Sequence, residues 1–202
     1  MAERLQVAEA ALDEAWKLDP TCVEIPIRMI NVELGQGKGR DRMELWFKRA
    51  MEIDPDNLIA CNAKLYYLEP KWYGSPRDML QFGRECLQTG RFNSQVPLML
   101  ENAHDALSHY THGGYSPQWD PEYYKRPGVW ADLKAVYDGY LAADKDANPN
   151  HFRNRYARTA CLCGAWDDAA KMFATIGDRV DRTVWSKEDF EAARKAAANG
   201  GK

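Results

Sequence analysis

AEAALDEAWKLDP (residues 8–20) and MELWFKRAMEIDP (residues 43–55) carry one spacing twice. Ala8, Leu12, Ala15 and Pro20 recur as Met43, Phe47, Ala50 and Pro55, at steps of four, three and five residues. Each segment has the 3.6-residue period of an amphipathic helix and ends in an Asp-Pro pair. Alanine stands where a neighbouring helix must come close, with a large apolar residue one turn away. The two prolines are 35 residues apart, close to the roughly 34-residue repeat of stacked helix pairs.

A third copy lies in YARTACLCGAWDDAAKMFATIG (156–177). There Gly164, Trp166, Ala169 and Phe173 follow one another at steps of two, three and four, after Ala157 and Ala160. VWADLKAVY (129–137) adds Trp130, Leu133 and Tyr137 at helical steps. On these residues the chain resembles the tetratricopeptide repeat, in which a turn glycine, an aromatic, an alanine and a phenylalanine recur in that order. The match is specific over 8–69 and 150–176 and loose between them. Pro26 and Ile30 depart from it, standing where an early aromatic and a small residue are usual. Pro70, Lys71, Trp72, Gly74 and Ser75 also match a Pro-Lys-Trp-x-Gly-Ser corner of bacterial repeat-like proteins, a resemblance that names no activity.

The resemblance implies an all-α fold, a right-handed superhelical array of antiparallel helix hairpins with about ten helices. It is read as a single domain over 1–202, with regular repeats over 1–69, irregular helices and a long aromatic loop over 70–127, a C-terminal repeat and capping helix over 128–198, and a frayed tail at 199–202. The first unit starts at its second helix, which fits a fragment of a longer array or a capped end.

Helix starts are legible from caps. Thr21 with Glu24 reads as a capping box, Ser75-Pro76 as an N-cap followed by proline, and Ser186 with Asp189 as a box flanked by Trp185 and Phe190. Ser94 and Asn150 are placed to open two further helices. In YYLEPKWYGSPRDML (66–80), Pro70 stops one helix, Gly74 supplies the turn and Ser75-Pro76 starts the next. Trp72 is expected to be buried there, plugging the corner. The segment GGYSPQWDPEYYKRP (113–127) is long for a loop in a compact chain, and such loops are functional or fold over a neighbouring surface. Its aromatics, with Trp72, Tyr73 and Trp130, are expected to cover helix ends more than to anchor a partner.

The chain has 202 residues, 45% of them apolar, and a net charge of −3. These values suit a folded domain and disfavour a surface devoted to phosphate, so nucleic acid is an unfavoured partner. No apolar run is long enough to span a bilayer and the N-terminus has no secretion-signal pattern, so no membrane is expected. The five cysteines are an odd number without framework spacing, which points to reduced thiols and a cytoplasmic protein.

No G-x-S-x-G, H-E-x-x-H or phosphate-loop pattern is present, and GQGKGR (35–40) follows a helix instead of a strand. No catalytic residue, metal or cofactor is therefore assigned, and the chain is read as a non-catalytic module that binds a protein or peptide partner. In HFRNRYAR, Arg155 and Arg158 stand one turn apart beside Asn154. By the resemblance this is an inner helix lining a concave groove, and the groove residues become Arg28, Asn31, Asn62, Tyr66, Asn154, Arg155 and Arg158. A carboxylate clamp of the kind some relatives carry is incomplete, because Ile27 and Ala63 hold two of its places. Two alternatives remain open: a small helical enzyme or metal-binding protein around Glu101, His104, His109 and Tyr110, at the helix end that also carries His112, and RNA binding through Arg153, Arg155 and Arg158.

Overall fold

A computed structural model describes residues 2–111, 114–143 and 149–202. His112 and Gly113, named above, lie outside the described residues. The described residues form ten α-helices, two 3₁₀ turns and one two-stranded antiparallel ladder, so the fold is all-helical in character. No described helix is long and apolar enough to cross a membrane. Internal contacts divide the chain into two compact units, Met1–Met99 and Leu100–Lys202.

In the first unit, α1 (Ala2–Leu18), α2 (Glu24–Gln36), α3 (Arg40–Ile53) and α4 (Leu58–Tyr67) pack each on the next, and α2 also meets α4. α5 (Pro76–Gln88) packs against the 3₁₀ turn Val96–Leu98. The repeat positions do what their spacing requires: Met43 and Ala50 of α3 are fully buried, and Ala50 joins Ile27 and Ala60 in one cluster. The matching face of α1 is only half covered, and no residue of α1 is buried. Trp16 instead meets Trp46 edge to face at 5.7 Å, with the Arg49 guanidinium 5.0 Å and 4.3 Å from the two rings.

Pro26 is buried in the first turn of α2, where the missing N–H would have had no helical partner. The Thr21–Glu24 box does not form. Asp19 takes both the Thr21 amide (3.0 Å) and its hydroxyl (2.6 Å) in a tighter local turn, and α2 starts at Glu24 without a side-chain cap. Ser75 does cap α5, accepting the Asp78 amide at 3.2 Å, with Pro76 at the first helical position. Gly37 closes α2 at φ 65°, a left-handed cap suited to glycine.

Trp72 is not the plug of the corner: the residue is 42% exposed. The corner closes backbone on backbone, because Gly74 comes so near the Leu68 carbonyl that no side chain fits between them. Trp72 is left outside, with its ring 5.8 Å from Tyr66.

In the same unit, Glu33 is wholly buried and receives Arg42 Nε at 2.8 Å, while Arg42 Nη2 reaches Glu9 at 2.6 Å, tying α1, α2 and α3 together. Asp56 receives Arg91 through two parallel bonds of 2.7 Å and 2.9 Å. Those bonds, helped by Ser94, pull the Asp56 carboxyl from 3.8 down to about 2. The folded chain holds this proton less tightly than the unfolded chain, so the pair stabilises the unit above the ordinary aspartate range. That contribution fades as pH falls from 3.8 toward about 2. A carboxyl-carbon NMR titration should give a midpoint near 2 for Asp56, and Arg91→Gln should return it toward 3.8; an unmoved midpoint would show that Arg91 is not the cause.

In the second unit, α6 (Met99–Ser108, from Leu100 onward) leads into the ladder of β1 (Tyr110–Thr111) and β2 (Gly114–Tyr115). The 3₁₀ turn Pro121–Lys125 follows, then α7 (Val129–Ala143), α8 (Pro149–Leu162), α9 (Trp166–Ile176) and α10 (Lys187–Ala198). α7, α8, α9 and α10 pack in succession, and the 3₁₀ turn touches α7 and α8. Ala157, Ala160 and Ala169 are fully buried and Phe173 nearly so, as the third copy requires. The long loop folds back over the end of α6: the Ser116 amide donates to the His109 carbonyl and the Asp120 amide to the Ser108 carbonyl, both at 2.7 Å. Ser186 caps α10 by accepting the Asp189 amide at 3.0 Å, and Trp185 meets Phe190 edge to face at 5.8 Å.

Candidate functional site

On α8, residues 151, 155, 158, 159 and 162 fall on one helical face. This face lines two clefts of the second unit, of about 230 Å³ and 380 Å³. Glu101, Arg155, Arg158 and Thr159 border both. Tyr137, His151, Thr183 and Val184 complete the smaller cleft; Asp105, His109, Trp119 and Tyr124 are among those that line the larger.

A polar network joins residues that line them. Tyr137 donates its hydroxyl to Glu101 at 2.7 Å and lies 3.0 Å from the Thr159 hydroxyl. Arg155 Nη2 lies 2.7 Å from the other Glu101 oxygen. Burial, and then the Glu101 charge, push the Tyr137 phenol far above its ordinary range, so it stays neutral. Arg155 is thereby balanced by Glu101.

Arg158 differs. It is exposed at the border of both clefts and makes no hydrogen bond or ion pair with any described residue. Across the smaller cleft, His151 Nδ1 lies 2.8 Å from Asp181, whose carboxyl is lowered chiefly by Thr183 and further by His151.

The expected groove residues fall in both units. Asn154 is fully buried: its amide donates to the Asn150 and Arg179 carbonyls at 2.8 Å and 3.2 Å, and its oxygen accepts the Asp181 amide at 3.1 Å. Those bonds brace the segment after α9 against α8 and leave nothing to offer a ligand. Arg28, Asn31, Asn62 and Tyr66 belong to the first unit, on α2 and α4. Arg28 is exposed and 3.4 Å from Glu24, and Asn31 bonds back weakly to the Ile27 carbonyl at 3.4 Å. Asn62 and Tyr66 are exposed, with Lys71 Nζ 4.4 Å from the Tyr66 ring centroid.

Of the histidines considered for metal, His104 is buried with both ring nitrogens engaged, Nδ1 2.9 Å from the Tyr123 hydroxyl and Nε2 3.2 Å from Asp132. His109 directs Nδ1 to the Ser116 carbonyl at 3.1 Å. Among the described residues, no three His, Cys, Asp or Glu side chains gather as a metal set. The described cysteines are free thiols, and burial pushes Cys161 up to about 11 and Cys163 up to about 12.

Sequence reading missed Asp105, Tyr137, Thr159 and Thr183 as site residues. The available signal was the four-residue step from Glu101 to Asp105, which puts both on one face of α6. No family profile, curated protein or solved structure matches the chain.

Proposed function

We propose that the chain is a tetratricopeptide-like array of antiparallel helix hairpins, a cytoplasmic, non-catalytic module that docks an extended segment of a partner protein along the α8 face of the second unit. The observation that carries this reading is Arg158, a guanidinium without a protein partner among the described residues, standing at the border of two adjoining clefts. A neighbouring arginine is already neutralised by Glu101, so the unbalanced guanidinium charge at this place is that of Arg158. Arginine is among the residues that dominate binding energy when a partner covers them. The repeat spacing at 8–20, 43–55 and 156–177 supports the array, and the free cysteines support the reducing compartment.

Selection from a displayed peptide library tests it. The intact protein should enrich a defined peptide set, and Arg158→Glu should weaken binding of those peptides by about ten- to a hundredfold, the range of one charge-assisted hydrogen bond. The circular dichroism spectrum should not change. Enrichment of the same peptides with equal affinity by Arg158→Glu would overturn the assignment.

A further inference from the structure

We propose that Asp105, His109, Trp119 and Tyr124 form a subsite for an organic ammonium group, of the kind at the end of a lysine side chain. The identity of the carrier, a lysine of the docked segment, rests on the function proposed above; the subsite itself rests on four separate observations within the second unit.

First, Trp119 and Tyr124 make an open corner. Their rings meet at 79° with centroids 5.6 Å apart, and Trp119 is 44% exposed, so π surface is available to a cation entering the larger cleft. Burial pushes the Tyr124 phenol up to about 12, which keeps it a neutral ring and hydroxyl.

Second, Asp105 stands at this corner without a cation of its own. The Tyr124 hydroxyl approaches it only at 3.5 Å, and its carboxylate forms no ion pair with any described residue. The neighbouring carboxylate, Glu101, is committed to Arg155 and Tyr137. A carboxylate has about four acceptor positions, so most of those on Asp105 remain open to a ligand.

Third, the tautomer of neutral His109 is set by its surroundings. A backbone carbonyl can only accept, so the 3.1 Å contact to Ser116 places the proton on Nδ1 and leaves Nε2 with a lone pair. The ring is held by stacking on Tyr115, with centroids 6.0 Å apart at 26°. His109 and Asp105 line the same cleft, which thus holds a second acceptor group.

Fourth, the charges of the cleft balance around two unpaired members. With Glu101 and Arg155 cancelling, Asp105 and Arg158 remain as opposite charges in one cleft of about 380 Å³. Asp105 offers its open acceptor positions to the cation, which leaves Arg158 for an acidic group. A segment that carries a lysine together with an acidic group satisfies both, which makes the occupant dipolar instead of purely acidic.

The test needs no partner peptide. With the ¹⁵N-labelled full chain, the indole N–H of Trp119, assigned by its loss in Trp119→Phe, is followed while n-butylammonium is added, and again with 1-butanol, which has the same carbon chain without the charge. The expected result is a saturable shift with n-butylammonium, at least tenfold weaker affinity for 1-butanol, and at least tenfold loss of ammonium affinity in Asp105→Asn. Asp105 is exposed, so this substitution should leave the fold intact, and the wild-type comparison stands without it. Absence of a saturable shift, an equal response to 1-butanol, or undiminished affinity in Asp105→Asn would each overturn the subsite. The peptide selection reads Arg158 and this titration reads Asp105, so failure of one is distinguishable from failure of the other.

Discussion

Gly74→Ala is expected to destabilise the first unit by about 3 kcal/mol or more, and to lower its melting temperature by roughly 10 to 20 °C. A Cβ on this residue would lie 2.1 Å from the Leu68 carbonyl oxygen and 2.5 Å from the Leu68 Cα and carbonyl carbon. These are main-chain atoms at the end of α4 and cannot swing aside as a flexible side chain would. Leu68 is itself fully buried, and the Tyr73 amide bonds the Tyr67 carbonyl at 3.3 Å just beside the contact. Relief therefore requires moving the corner as a whole. The glycine is needed for close approach, since its φ is not among the positive ones. Thermal unfolding followed by circular dichroism checks this, and a melting temperature within two degrees of wild type would show the corner to be more pliable than its packing implies.

The second large effect separates two residues that are neighbours on α8. Asn154→Ala should cost about 3 kcal/mol, because it removes three hydrogen bonds and leaves backbone groups of Asn150, Arg179 and Asp181 without those partners. Arg158→Ala should change stability by no more than about 0.5 kcal/mol, the usual range for an exposed side chain without partners. Urea unfolding is the measurement: the midpoint should fall for Asn154→Ala with the slope unchanged, and stay in place for Arg158→Ala. Comparable losses in both variants would remove the distinction between a brace and a free contact residue.

Much of the helical architecture was legible because its causes are local. The period of apolar residues predicts the faces of α3, α8 and α9, and burial of Met43, Ala50, Ala157, Ala160 and Ala169 follows from it. Ser75 and Ser186 cap the helices they precede, since the bond runs only three residues along the chain. The Thr21 box failed for an equally local reason: Asp19, two residues earlier, offers a nearer acceptor. Trp72 was misread because its exposure depends on how closely Gly74 approaches Leu68, a distance that composition does not encode.

The candidate site was legible only in part, and α8 shows why. Asn154, Arg155 and Arg158 look alike in sequence, three polar residues in five positions of one helix. Helical periodicity by itself determined that 155 and 158 share a face. Their separate fates were decided by residues far along the chain: Arg179 and Asp181 enclose Asn154, Glu101 neutralises Arg155, and no described residue reaches Arg158. The sequence alone thus set the helices, their ends and their apolar faces, which arise from interactions within a few residues. Only tertiary structure decided which polar groups are consumed by the fold and which are left over to bind, because a polar side chain's role depends on whether a partner arrives to meet it.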